Sequence, residues 1–167
     1  MRIGVGLHTG PLILGTLGDE TSLQCTVISD AVNLASRLEG MTKQLGCNLL
    51  ISEDTRSAAD LGEQVMTRCV GRFAVKGKTE PTLLHQVIDA ESPSHGAAIQ
   101  AALAPFEEGR EAWYTGDLNE AQRHFAEALA INPHDALIKL YLGRCWNHLA
   151  AGEELDNWSG VLKMTSK

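Results

Sequence analysis

Up to residue 89 the apolar positions change period several times, and each change marks an element. Ile3, Val5 and Leu7 alternate with glycines and predict a strand over residues 2–7, ending at Thr9-Gly10-Pro11, with extended chain resuming over 12–14. Residues 23–28 read as a second strand. Ser29-Asp30 then offers a helix N-cap, and Val32, Leu34, Ala35, Leu38, Met41 and Leu45 recur at helical spacing until Gly46 stops the run. Residues 48–51 predict a short strand, and Ser52 caps another helix with Asp54 in its first turn. Residues 65–70, 72–75 and 82–88 predict strands around the Lys76-Gly77-Lys78 turn. The expected class of this region is α+β.

Past residue 90 the strand signal stops and the period becomes helical. Phe106, Ala112 and Trp113 form one group, Ala121, Phe125, Ala128 and Leu129 a second, and Leu137, Leu140, Tyr141 and Cys145 a third. Turns fall at Thr115-Gly116-Asp117 and Asn132-Pro133-His134-Asp135. Composition shifts at the same place, since Phe73 alone of the aromatic residues precedes it. The polar stretch 89–96, with Pro93 and Gly96, reads as a joint. The expected organisation is a mixed unit over 1–89, a linker over 90–101, helices over 102–150 and a tail over 151–167. Gly109 and Gly143 stand 34 residues apart, and Gly109, Gly116, Ala121, Phe125, Ala128 and Pro133 resemble the tetratricopeptide pattern. Only one full repeat and the first helix of another fit, which implies a small all-α annex rather than a solenoid. Its Trp113, Tyr114 and Tyr141 could line a peptide groove or fill the space between helices.

Charge narrows the choice of partners. Fourteen Lys and Arg against 21 Asp and Glu, among 167 residues, give a net charge of −7 and no electrostatic footprint for nucleic acid or an anionic membrane. The uncharged stretch 3–18 is broken by His8, Pro11 and its glycines, so it reads neither as a secretory signal nor as a membrane span. Cys25, Cys47, Cys69 and Cys145 are widely spaced without a CxxC, which predicts reduced thiols, a cytoplasmic setting and no zinc site.

Two groups of residues invite a chemical reading. Gly4-x-Gly6-x-x-x-Gly10 is not a dinucleotide fingerprint, because its third glycine would stand at Thr9 and a helix would have to follow; close approach of strands and a turn explains these glycines better. On the long helix Asn33 and Arg37 stand four residues apart and therefore share a face. An amide and a planar guanidinium side by side suit a ribose and a phosphate, and they equally suit a solvated helix surface. Lys76, in its glycine-containing turn, has the same two readings.

The segment Cys25-Thr26-Val27-Ile28-Ser29-Asp30-Ala31-Val32-Asn33-Leu34-Ala35-Ser36-Arg37-Leu38-Glu39 closely resembles the signature of the class III nucleotide cyclases, the adenylate and guanylate cyclase family. Ile3-Gly4-Val5-Gly6-Leu7-His8-Thr9-Gly10 before it and Val75-Lys76-Gly77-Lys78-Thr79-Glu80-Pro81 after it are similar to that family in order and spacing. The resemblance implies part of a ferredoxin-like palm domain. It further implies that Asn33 positions the ribose, Arg37 stabilises the transition state at the α-phosphate, Lys76 touches the terminal phosphates and Thr26 reads the purine. Threonine at that position is similar to a bacterial adenylate cyclase subgroup, so ATP is expected ahead of GTP. The product would be a 3′,5′-cyclic nucleotide, with release of pyrophosphate.

The departures are as informative. Family enzymes use two metal-binding aspartates, for Mg2+ or Mn2+, and a purine-contacting lysine, all upstream of the strand that begins at Ile3. Asp19, Asp30, Asp54 and Asp60 are in the wrong places to replace those aspartates. Ser29 stands where glycine is common, and Gln24-Cys25 where aspartate and tyrosine are common. The resemblance thus covers the C-terminal half of one catalytic domain, implies a homodimeric and longer parent, and predicts that the chain alone is inactive. A non-catalytic module that binds a protein partner through its helices is the alternative.

Overall fold

The computed structural model describes residues 3–19, 22–60, 65–75, 79–152 and 157–163, and of 16–19 and 22–28 the backbone only. In chain order the elements are β1 (Val5–Leu7), β2 (Ile13–Asp19), β3 (Ser22–Ile28), α1 (Asp30–Leu45), β4 (Leu49–Ser52), α2 (Glu53–Ala58), β5 (Thr67–Ala74), β6 (Thr82–Val87), a single 3-10 turn (Ile88–Ala90), α3 (Pro93–Ala101), α4 (Leu103–Thr115), α5 (Leu118–Ile131), α6 (Ala136–Ala151) and β7 (Leu162–Lys163). A five-stranded sheet runs β1-β4-β6-β5-β7, while β2 and β3 form a separate antiparallel hairpin. β1 lies parallel to β4 and β7 parallel to β5; the other pairings in the main sheet are antiparallel.

The element that positions the site is α1, and its ends follow local chemistry. Ser29 is extended, at φ −163° and ψ 142°, and its Oγ accepts the Ala31 N–H at 2.9 Å. Gly46 closes the helix in the left-handed region at φ 70°, where a side chain would be strained. Between these caps Ala31, Leu34, Leu38, Met41, Thr42 and Leu45 form the buried stripe. Val32, expected on that stripe, is 47% exposed. At about 100° per residue it falls well off the line through Leu34, Leu38 and Leu45, and Ala31 takes the inward position.

One apolar cluster joins α1 (Leu34, Leu38), the sheet (Leu50, Val70, Phe73, Leu84) and the helices (Phe106, Trp113, Phe125, Tyr141). Across the contact between sheet and helices lies a buried ion pair. The Arg68 guanidinium donates to both carboxylate oxygens of Asp135, at 2.6 and 3.2 Å, and to Gln86 Oε1 at 2.8 and 2.9 Å, and it lies over the Phe106 ring at 5.1 Å. Asp135 also accepts the N–H groups of Leu137 and Ile138, so one carboxylate caps α6 and holds it to β5.

Three local expectations change. Residues 93–101, read as linker, form α3, because Pro93 at the start of a helix costs no hydrogen bond. The two strands expected over 65–70 and 72–75 are a single β5 with a register shift between Cys69 and Gly71. A strand also exists beyond residue 90: β7 pairs Leu162 with Phe73 and Lys163 with Ala74. Trp113 and Tyr141 are 1% and 0% exposed, and Tyr141 meets Trp113 edge-on and stacks on Phe125, so these rings fill the core rather than a groove.

Candidate functional site

Asn33 and Arg37 sit one turn apart on one exposed side of α1, to the flank of the stripe that seats the helix. Thr26 lies on β3, where its backbone pairs with Gly15, and β3 leads through Ser29 directly into α1. Hairpin and helix are therefore covalently continuous at the N-cap, and the Ser29 hydroxyl fastens the joint by donating to Pro11 O at 2.6 Å. Lys76 lies outside the described residues; β5 ends two positions before it.

Beneath α1 the glycines of β1 give the helix its seat. A Cβ at Gly6 would lie 2.3 Å from Glu39 N and 2.5 Å from Ala35 O, and one at Gly4 would lie 1.9 Å from Thr42 Oγ1. The sequence predicts close approach of strands and a turn at these glycines; close approach is what Gly4 and Gly6 provide, but the element that comes close is the helix α1. At the far end of β1, His8 Nδ1 lies 2.8 Å from Ser52 Oγ and 3.8 Å from Asp54 Oδ2. Ser52 is fully buried and its Oγ accepts the Thr55 N–H, so this Ser, His and Asp fix the start of α2 rather than forming a nucleophilic triad.

On the sheet beside α2, His85 Nε2 contacts Glu53 Oε2 at 2.5 Å. The Arg56 guanidinium, donating to Glu53, is the main cause that holds that carboxyl at about 2, with Ser57 and His85 assisting against partial burial. Burial pushes His85 below its usual range, and Glu53 only partly offsets this. Cys69 and Cys145 are free thiols, and burial pushes Cys145 up to about 12. Among the described residues no three His, Cys, Asp or Glu side chains come together as metal ligands, so the donor set present does not fit the family's divalent cation. No helix among the described residues is long and apolar enough to cross a membrane.

The stretch of sequence that forms these elements has counterparts among known proteins. Residues 1–88 match the family described as the adenylate and guanylate cyclase catalytic domain, and the chain belongs to that family. It is 32% identical over 146 residues to the terminal-differentiation specific adenylate cyclase of Dictyostelium discoideum, covering 87% of this chain and 7% of that protein. It is 42% identical over 88 residues to an adenylate cyclase of Anabaena cylindrica, covering 52% of this chain and 18% of the relative. A solved bacterial light-regulated adenylyl cyclase is 27% identical, over 57% of this chain and 27% of its own, with a TM-score of 0.46. The chain thus spans a small share of the length of these relatives.

Proposed function

We propose that residues 1–89 supply the transition-state side of a nucleotide cyclase site, in a protein that converts ATP, in preference to GTP, to a 3′,5′-cyclic nucleotide and pyrophosphate. The observation that carries this reading is the placement of Asn33 and Arg37 on the open face of α1, within the region that matches the cyclase family. In the reaction the ribose 3′-oxygen bonds to the α-phosphorus as the bond to the oxygen bridging the β-phosphate breaks, and the hydroxyl proton is released. Asn33 holds the ribose so that the 3′-oxygen stays in line. Arg37 donates to the phosphoryl oxygens as negative charge gathers on them, a role its planar fork suits. Thr26 reads the purine edge, and Lys76 draws the terminal phosphates.

The metal-binding aspartates belong, in this reading, to a preceding catalytic segment, and two such domains pair as a homodimer in the cytoplasm. The helices over 102–150 form a tetratricopeptide-like annex that offers its outer face, including the 55% exposed Trp146, to a protein partner. The test is enzymatic. The chain alone, given ATP or GTP with Mg2+ or Mn2+, forms no cyclic nucleotide; complemented with the catalytic segment that precedes the matching region in the Anabaena cylindrica relative, it does. Arg37→Ala then lowers kcat by about 10² to 10³ with little change in KM, the loss expected for one donor to developing charge. Product from the chain alone, or a loss confined to KM, contradicts the assignment.

A further inference from the structure

We propose that Gly6 is a positioning residue for Arg37, acting through the seat of α1 on β1. This rests on the reading of Arg37 given above and extends it to a residue that touches no substrate. A Cβ built at Gly6 meets three atoms of the α1 backbone: Glu39 N at 2.3 Å, Ala35 O at 2.5 Å and Leu38 C at 2.8 Å. These atoms bracket the turn that carries Arg37. Backbone of a capped helix cannot rotate aside as a side chain can, so any side chain at position 6 lifts that turn off the strand.

Gly4, one pleat earlier, provides a contrast built into the same strand. Its Cβ would meet the side chain of Thr42, at 1.9 Å from Oγ1 and 3.0 Å from the Thr42 Cβ. Thr42 is 2% exposed, and its hydroxyl donates to Glu39 O at 2.6 Å. Here the obstacle is mostly one hydroxyl, which substitution removes. Gly40, on α1 itself, has nothing within 4 Å of its would-be Cβ.

Positions 4 and 6 both face the helix, because they alternate with the exposed Val5 and Leu7. With Leu34 and Leu38 packed on the sheet side, the height of α1 over β1 is set by the thickness of a glycine. A methyl group at position 6 must move the Arg37 turn by on the order of 1 Å, a displacement that costs on the order of 10²-fold when the group must meet a transition state.

The experiment is a double-mutant cycle on the full chain complemented as described, with kcat and KM read separately and thermal unfolding measured on each variant. Gly6→Ala is expected to lower kcat on the order of 10²-fold. In an Arg37→Ala background the same change is expected to cost less than about twofold, because the residue through which it acts is already gone. Gly40→Ala is expected to keep full activity. Gly4→Ala is expected to lower kcat, with recovery in Gly4→Ala/Thr42→Ala.

If Gly6→Ala does not fold, the Gly4→Ala pair, in both Arg37 backgrounds, takes its place in the cycle. An equal loss in the two backgrounds overturns the positioning role and leaves the reading of Arg37 standing. Failure of Arg37→Ala to lower kcat, or no product from the complemented chain, removes both.

Discussion

The two edges of the main sheet are built in opposite ways. Along β5 the outer edge is closed by groups from far down the chain. Tyr141 donates its hydroxyl to Val70 O at 2.8 Å, Arg72 N–H donates to the Tyr114 hydroxyl at 2.9 Å, and β7 pairs with Phe73 and Ala74. A strap over residues 157–163 holds β7 in place: Trp113 Nε1 donates to Gly160 O at 2.8 Å, and Trp158 Nε1 donates to Trp113 O. Along β1, the outer strand at the opposite end of the sheet, the described residues provide one neighbour only, β4, and leave Val5 and Leu7 42% and 45% exposed. An open apolar edge is a template for pairing with another strand, and a capped one is not. Stability should therefore be concentrated at β5, and association at β1.

The largest expected effect tests the capped side. Arg68→Ala strands the buried Asp135 carboxylate between sheet and helices, and should cost about 3–5 kcal/mol of unfolding free energy, measured by denaturant. A cost below about 1 kcal/mol would mean that the ion pair does not hold the helices to β5. Tyr141→Phe is smaller. It removes the donor from Val70 O and should cost about 1–3 kcal/mol, the range for a buried group left unpaired; a neutral result would mean that the β5 edge needs no cap.

Acid acts where α2 meets the middle of the sheet, at Glu53 and His85, and serves to separate the edges from the centre. His85 is held below its ordinary value by burial, so folding favours the neutral ring; its contribution is present above about 6.5 and falls as pH drops below that value. Glu53 is lowered from 4.5 to about 2, so its contribution is present above 4.5 and falls as pH drops from there towards 2. Both signs agree, and stability should decline as pH falls through the two windows. Glu53→Gln should flatten the lower one, and an unchanged acid profile would show that Glu53 is not coupled to folding.

The smallest effect on stability belongs to the open side. Val5→Lys places a charge on an already exposed edge position and should change unfolding free energy by no more than about 0.5 kcal/mol. It should nevertheless reduce association measured by light scattering, because charge on an edge strand opposes strand addition. Equal association of parent and variant would remove β1 as the sticky edge. Hydrogen exchange should rank the same regions, with β1 less protected than β5.

The long helix, its caps and the pairing of Asn33 with Arg37 were legible because each depends on residues within a turn or two. Ser29 and Gly46 carry their own conformational preferences, and a spacing of four puts two side chains on one face whatever lies beneath. Even there the register of the buried stripe needed the sheet, since Ala31 and Val32 are neighbours and only packing chooses between them.

What tertiary structure alone decided lies at long sequence separation. Arg68 and Asp135 are 67 residues apart, Tyr141 and Val70 are 71 apart, and β7 finds β5 across the whole set of helices. No period or motif announces a polar side chain that will cap a distant strand, because its partner is selected by the space left when apolar faces meet. The glycines of β1 stand between these cases. Their lack of side chains was plain in the sequence, but that they carry the helix of Asn33 and Arg37 became visible only when the backbone of α1 came within 2.3 Å of the place a Cβ at Gly6 would occupy.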